Sequence, residues 1–317
     1  MVPPVDDRIP EVTASRFIID TGRPIVGLDI GEDFLDLAML EKGWKSLRYA
    51  RVALTAIESS PIDAIAARLK AIAPPITADT FAIVDSPRWP RDLCLENPSP
   101  RPIRIASSGR AIDRAIREIV APLVGRLSMY PTPELDSFLS AVADPRCKPH
   151  LRTISSGLWD GAGPTRYEQL KRGNIFTRFM IVGFALYRAL ERIGAEAVEG
   201  YPDLQFRLCL NGQPLAAKGV GRAAALEARA RIIANLARKL GLRMPTPPTL
   251  DAADAAVLAL GVAAASANGH AIELRSPREG RFIIAIPDSP RISTEASRKV
   301  LRKVSRKVSR TNGDGVA

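Results

Sequence analysis

Carboxylates follow three short apolar segments of this sequence and recur in one late segment of small residues. Asp29 follows the run IVGL, Asp85 follows TFAIV and Glu199 follows AEAV. Asp251 and Asp254 stand three residues apart in TLDAADAAVLALGVAAASA, so they face one way if that run is helical. A carboxylate beside a buried strand is costly unless a cation, a metal ion or hydrogen bonds stabilise it. We therefore treat these five acids as candidate catalytic residues.

Divalent metal chemistry would explain why several acids meet. Two carboxylates about 4 Å apart repel by roughly 4 kcal/mol at an effective dielectric constant near 20. Paired metal ions about 3.5–4 Å apart activate water and stabilise the leaving oxygen in phosphodiester cleavage. Oxygen ligands without His or Cys favour Mg²⁺ or Mn²⁺. The alternative for Asp29 is purely structural, with its carboxylate accepting hydrogen bonds from the backbone N–H groups of the turn at Gly31.

The elements that must position these acids alternate between strands and helices, which predicts an α/β fold. The patterns predict strands over 25–30, 33–41, 45–54, 80–84 and 195–198, helices over 61–72, 109–127, 175–193, 203–210, 223–240 and 249–267, and a hairpin over 270–275 and 281–287. We expect the first three strands to be antiparallel and the later ones to lie parallel to the first. The carboxyl ends of parallel strands meet at one edge of the sheet, where ligands bind.

Composition along the chain predicts three regions. Residues 1–23 are rich in Pro and Asp and are expected to be a flexible lead-in. Residues 24–290 form the α/β domain, with a loop-rich insertion near 128–172 where Pro, Gly and Ser are frequent. Residues 291–317 form a basic tail. We expect this tail to be disordered, because blocks of like charge usually are.

The net charge of +11 and the isoelectric point of about 9.9 favour a polyanionic partner. The tail holds eight Lys and Arg residues against two acidic ones, and thus six of these eleven charges. Its repeat RKVL-RKVS-RKVS-R is expected to bind the phosphates of a nucleic acid, at Arg298, Lys299, Arg302, Lys303, Arg306 and Lys307. An anionic membrane is a weaker alternative, because the valine stripe between the charges is narrow.

Cysteine and histidine are too sparse to predict a zinc site. Cys94, Cys147 and Cys209 form no CxxC, and His150 and His270 are the two histidines. The N-terminal sequence lacks the basic-then-apolar order of a signal peptide. The most apolar helical stretches contain charges and fall short of a span of about 20 residues. We therefore predict a cytoplasmic protein without a membrane span.

The ordered segments resemble the predicted ribonuclease-H-like nucleases of domain-of-unknown-function family 429. The resemblance covers most of residues 25–267 and is carried by VGLDIG, IVDSP, GRAIDRAIR, VEGYPDLQFRLCLNG with Lys218 and Arg222 after it, and LDAADAAVLAL. The last segment is also similar to the closing helix of RuvC-type Holliday-junction resolvases. The resemblance implies a ribonuclease-H-like mixed sheet flanked by helices and a metal-dependent nuclease acting on DNA or RNA.

The resemblance also implies a role for each candidate. Asp29, Asp85 and Asp254 would be the metal ligands, Asp251 a neighbour or fourth ligand, and Glu199 an acid at the edge of the site. The substrate would be bound by residues that line the site, namely Arg110, Asp113, Arg117, Lys218 and Arg222.

One departure from the pattern keeps other functions open. Ribonuclease-H-like enzymes often take an acid from their first helix, and Glu58 and Asp63 match that acid poorly. Glu199 is the alternative that would substitute for it, and without a substitute the metal site lacks a ligand. A non-catalytic nucleic-acid-binding protein of this fold is therefore the first alternative. A remoter one is an actin-like ATPase or sugar kinase, since GLDIG resembles the first phosphate loop of that fold. A Ser/His/Asp hydrolase is disfavoured, because both histidines lie in Pro- and Gly-rich surroundings.

Overall fold

The apolar runs of the sequence form the middle of one large sheet in a computed structural model. The structure describes residues 12–58, 60–86, 111–124, 175–210, 215–216, 218, 221–276 and 280–286. The predictions for Arg110, for the insertion near 128–172 and for the tail residues from 291 onward lie outside these ranges.

Eight strands make up the sheet in the order β1-β7-β8-β6-β5-β2-β3-β4. The strands are β1 Thr13–Phe17, β2 Ile25–Ile30, β3 Phe34–Leu40, β4 Leu47–Ala53, β5 Phe81–Asp85, β6 Glu196–Glu199, β7 Ala271–Ser276 and β8 Gly280–Ala285. Strands β2, β3 and β4 pair antiparallel, while β5 is parallel to β2 and β6 is parallel to β5. The predicted arrangement of antiparallel strands followed by parallel ones is confirmed.

The first 23 residues are not wholly a lead-in. Strand β1 lies within them and pairs antiparallel with β7, with Thr13 opposite Arg275 and Phe17 opposite Ala271. The prediction of a flexible segment over 1–23 is wrong for this stretch. The alternation of small, apolar and polar residues in TASRF is too short to stand out from a loop, and the partner strand lies more than 250 residues later, so only tertiary pairing reveals it.

Seven helices within the described ranges flank the sheet; six of them lie close to the predicted positions, and the short first one was not predicted. They are α1 Thr55–Glu58, α2 Ile62–Ala71, α3 Ala111–Val124, α4 Ile175–Ile193, α5 Pro202–Cys209, α6 Arg222–Lys239 and α7 Leu250–Ala267. Helices α6 and α7 share a core with one face of β2, β3 and β5, while α2 and α4 share a core with the other face. Helix α3 packs against β7 and α5 at the far end of the sheet.

Helix α7 is the central helix of the fold. It lies between the sheet and α6, and its small residues allow close approach on both sides. Within the described ranges, it alone is long and apolar enough to cross a membrane, and 89% of it is buried inside the fold. Burial of this kind removes about 25 cal/mol of unfavourable hydration per Å² of apolar surface, so α7 anchors the domain.

Candidate functional site

Two of the predicted acids are direct neighbours in the sheet. Asp29 is the last residue but one of β2, with 3% of its surface exposed, and its register partner on parallel strand β5 is Asp85. Paired residues in adjacent strands direct their side chains to the same face. Both carboxylates therefore lie on the face that α7 covers, at the carboxyl ends of their strands.

Helix α7 brings two more acids to this face because glycine allows its backbone close to β2. A Cβ atom at Gly27 would lie 2.0 Å from the carbonyl oxygen of Ala255, and one at Gly31 would lie 2.6 Å from Asp251 Oδ2. Any larger residue at either position would have to push the helix or the carboxylate away. The small residues of the VGLDIG and AADAA segments thus allow the strand and the helix to pack closely.

The start of α7 is fixed by a polar network on β3 and β4. Thr249 caps the helix, as predicted, by accepting a 3.0 Å hydrogen bond from the backbone N–H of Ala252. Arg51 donates to Thr249 Oγ1 at 3.0 Å and forks onto both carboxylate oxygens of Asp36 at 3.0 and 3.1 Å. Since Asp36 is the register partner of Asp29, this network ties the first turn of α7 to the strands that carry the site.

Two cations face the acids of α7. Lys218 Nζ contacts Asp254 Oδ2 and lies 3.8 Å from Asp251 Oδ1. On the other side, Arg229 Nε donates to Asp254 Oδ1 at 3.2 Å. Both oxygens of Asp254 therefore already contact a positive charge. Lys218, predicted to contact substrate, lies within the carboxylate cluster itself.

The electrostatics confirm that the acids act on one another. Burial, followed by the charges of Asp254 and Asp85, raises the pKa of Asp29 well above its ordinary value. Burial also raises the pKa of Asp254, although Lys218 and Arg229 oppose this shift. Partial burial acts to lower the pKa of Lys218, but the carboxylates outweigh it and hold that pKa above its ordinary value. Burial is thus the largest cause of the raised pKa of both acids, and the neighbouring carboxylates add to it for Asp29.

The register separates Glu199 from the other acids, which corrects its predicted place in the site. Glu199 is fully buried, and its neighbour on β5 is Val84 rather than Asp85. Because side chains alternate between faces along a strand, Glu199 lies on the opposite face from Asp85. Its neighbour on β8 is Phe282, which packs with Ile112 of α3.

The remaining candidates lie on the protein surface or on the face of the sheet that carries Glu199. Asp113 is 5% exposed on α3, the helix that packs on the same face as Glu199, and Arg117 is exposed further along that helix. Arg222 is exposed at the start of α6, four residues after Lys218. Asp63, a weak match for the first-helix acid, is exposed and pairs with Arg192 at 2.7 Å, so it does not supply that acid.

Two residues of the site were missed in the sequence. Asp36 lies in a buried run between Leu35 and Leu37, and a charge in such a run is itself a signal. Arg229 stands at a buried position of α6, in step with Ile232, Ile233 and Leu236. A charged residue at an apolar position of a helical repeat indicates a buried partner.

No protein-family model, curated protein or solved structure matches this chain.

Oxygen donors of the cluster suit a hard divalent cation, and the Lys218 ammonium stands where such a cation would be attracted. In the described residues, however, no three His, Cys, Asp or Glu side chains are grouped so that they could hold a metal ion as they stand. The donor chemistry fits Mg²⁺ or Mn²⁺, and access to Asp254 Oδ2 requires the lysine to move.

Proposed function

We propose that this chain is a divalent-metal-dependent nuclease that hydrolyses phosphodiester bonds of DNA or RNA at the cluster of Asp29, Asp85, Asp251 and Asp254. The observation that carries the proposal is the convergence of these acids, which come from the ends of β2 and β5 and from the first turns of α7, where a partly exposed lysine contacts them. A structural cluster of buried carboxylates is costly to maintain, so its convergence at the carboxyl edge of the sheet favours function.

The strand arrangement supports a ribonuclease-H-like fold. Strands β4, β3, β2, β5 and β6 are consecutive in the sheet, with three antiparallel strands followed by two that are parallel to the first. Asp29 on β2, Asp85 on β5 and Asp254 on α7 match the expectation from the sequence of an acid on the first strand of the predicted sheet, one on the fourth and one on a late helix. Strands β1, β7 and β8 extend the sheet beyond β6.

Each residue of the site would have a distinct role in the proposed reaction. Asp29, Asp85 and Asp254, with Asp251 beside them, would hold Mg²⁺ or Mn²⁺. The bound metal would activate water and neutralise the charge that develops on the phosphate. Arg229 keeps Asp254 in place from the buried side, and the exposed Arg222 would contact a phosphate of the substrate.

A non-catalytic nucleic-acid-binding protein is the second candidate, and one observation favours it. Both oxygens of Asp254 already contact cations, and Glu199, which was expected to substitute for the first-helix acid, lies on the other face of the sheet. Such a site would keep its fold and charge without binding metal productively.

The first test is a cleavage assay on single-stranded, duplex, hybrid and branched nucleic acids. It is run with Mg²⁺, Mn²⁺ or EDTA, on the wild type and on Asp29→Asn, with Asp63→Asn as a matched control on the exposed surface. We expect metal-dependent cleavage that falls by at least about 10²-fold in Asp29→Asn, because a group acting on the reacting atoms typically contributes that much. Asp63→Asn should cleave like the wild type.

Two outcomes would contradict the nuclease. Cleavage that persists in Asp29→Asn would place the activity elsewhere. No cleavage by any of the proteins, with nucleic-acid binding that weakens steeply as salt increases, would favour the binding protein.

A further inference from the structure

A lysine that is half exposed supplies positive charge to the carboxylate cluster. Lys218 belongs to the connection before α6, and its ammonium contacts Asp254 and lies 3.8 Å from Asp251. Its side chain is 46% exposed, whereas Asp254 is 5% exposed. The charge therefore reaches the buried acids from the solvent side.

The two cations of the site differ in how firmly they are held. Arg229 is 4% exposed, donates to the carbonyl oxygens of Ala216 and Ala225 at 3.1 and 3.3 Å, and lies over the ring of Phe206. It cannot leave without breaking several buried contacts. Lys218 has a flexible side chain that can move into solvent. It would then lose its contacts to the carboxylates, whose charge a metal ion would neutralise instead.

We propose that Lys218 is a built-in counter-ion, which occupies the cation position of the carboxylate site until a divalent metal ion displaces it. The inference rests on the metal site of the proposed function but not on the proposed hydrolysis. Lysine and metal would compete for the carboxylates of Asp254 and Asp251, so the lysine offsets part of the negative charge of the site when no metal is bound. Metal binding then exposes the ammonium next to the site, where a substrate phosphate would arrive.

Competition of this kind has a measurable size. When a ligand binds only one state of a protein, its apparent dissociation constant equals the intrinsic constant divided by the fraction of molecules in that state. If the ammonium is seated in nine molecules of ten, its removal lowers the dissociation constant for metal by about tenfold.

Calorimetric titration of the full chain with MnCl₂ tests the inference. The proteins are the wild type, Lys218→Met, which keeps the length of the side chain without its charge, and Lys70→Met as a matched control. Lys70 is exposed on α2, across the sheet from the site. We expect Lys218→Met to bind Mn²⁺ about tenfold more tightly than the wild type, and Lys70→Met to bind like the wild type.

A second readout follows the lysine itself. Brief acetylation with acetic anhydride, analysed by mass spectrometry, reports how accessible each lysine is in the wild type. We expect Mn²⁺ to increase acetylation of Lys218 and to leave Lys70 unchanged, since the displaced ammonium moves into solvent. Circular dichroism and thermal unfolding of Lys218→Met establish that the variant is folded.

Several outcomes would overturn the inference. Equal Mn²⁺ affinities in the wild type and a folded Lys218→Met would show that the lysine does not compete. Weaker binding in Lys218→Met, no Mn²⁺ binding by either protein, or acetylation of Lys218 that falls with Mn²⁺ would each contradict displacement. Cleavage is scored separately on the same samples, so tighter binding without cleavage would support the counter-ion and reject the nuclease.

Discussion

Asp254 contacts two cations, and these partners determine how the cluster responds to change. Its two oxygens contact a buried arginine and a partly exposed lysine. The buried pair stabilises the acid within the fold, while the exposed one can respond to ligands. At the residue scale, the carboxylate of Asp254 thus contacts both a buried, fixed cation and an exposed, mobile one.

Breaking the buried pair should be strongly destabilising. Arg229→Gln leaves Asp254 buried with one partner fewer and removes the contacts of Arg229 to Ala216 and Ala225. We expect a loss of about 3–5 kcal/mol in the free energy of unfolding, the usual effect of removing one partner of a buried ion pair. Urea denaturation at pH 7 measures it.

The matched control lies on the same helix. Arg231 pairs with Glu227 on the surface of α6, with 74% of its side chain exposed. Arg231→Gln should cost less than about 1 kcal/mol, because exposed ion pairs contribute little. Equal losses in the two variants would mean that the Arg229 pair does not stabilise the buried site.

At the element scale, the spacing between β2 and α7 controls the site. The two elements touch through Gly27 and the backbone of Ala255, and this contact sets the height of Asp251 and Asp254 above the sheet. Helix α7 has polar anchors at both ends, with the Thr249 cap at its start and Ser266 Oγ accepting from the backbone N–H of Ile19 at 2.7 Å near its end.

Enlarging this contact should disturb the fold and the site together. The Cβ of Gly27→Ala would meet the Ala255 carbonyl oxygen, which is backbone and cannot rotate away. We expect a loss of about 1–3 kcal/mol in the free energy of unfolding, typical of overpacking, with a fall in metal-dependent cleavage. Thermal unfolding and the cleavage assay measure the two effects.

Gly22→Ala is the control for Gly27→Ala. Its Cβ would approach only the side chain of Asp20, at 3.3 Å, and that side chain can move. The control should change stability by less than about 0.5 kcal/mol. If Gly27→Ala is equally mild, the close approach of helix and strand is not what holds the acids in place.

Most elements could be predicted because their signals are local. The bounds of most described helices and strands agree with the sequence within about two residues, although the short helix α1 was not predicted, and the cap at Thr249 was predicted from residue type and position. Strand β1 was missed because a short strand at the edge of a sheet depends on its partner. Residue spacing also could not show that Glu199 pairs with Val84, since a shift of one residue moves a side chain to the other face.

At the scale of the whole molecule, positive charge outweighs negative charge by eleven. Six of these charges lie in the tail from residue 291 onward, and the remainder belongs to the rest of the chain. The acidic site is therefore a local exception in a basic protein. A polyanion would be attracted by the protein as a whole, and its approach to the acids would depend on cations bound there.

The tail should contribute directly to the salt dependence of nucleic-acid binding. In the full chain, Arg302, Lys303 and Arg306 are replaced by Gln, and duplex affinity is measured by fluorescence anisotropy from low to moderate salt. The slope of log K against log salt should decrease by about 0.9 for each replaced residue that contacts a phosphate.

A matched triple substitution tests whether position matters. Arg68, Lys70 and Arg188 carry the same charges on α2 and α4, across the sheet from the site. Their replacement by Gln should leave the slope within about 0.5 of the wild-type value. Equal decreases in both triple variants would attribute binding to net charge alone and not to the tail.

The sequence by itself determined which residues are apolar, where elements begin and end, and that several acids stand at strand ends. These are properties of neighbours along the chain, and local propensity and periodicity express them. Only the tertiary structure decided which acids meet. The register of β5 and β6 separated Glu199 from Asp85, and the approach of α7 to Gly27 brought Asp254 to Asp29 and to Arg229. Such contacts join residues distant in sequence, and their positions follow from packing that no local pattern encodes.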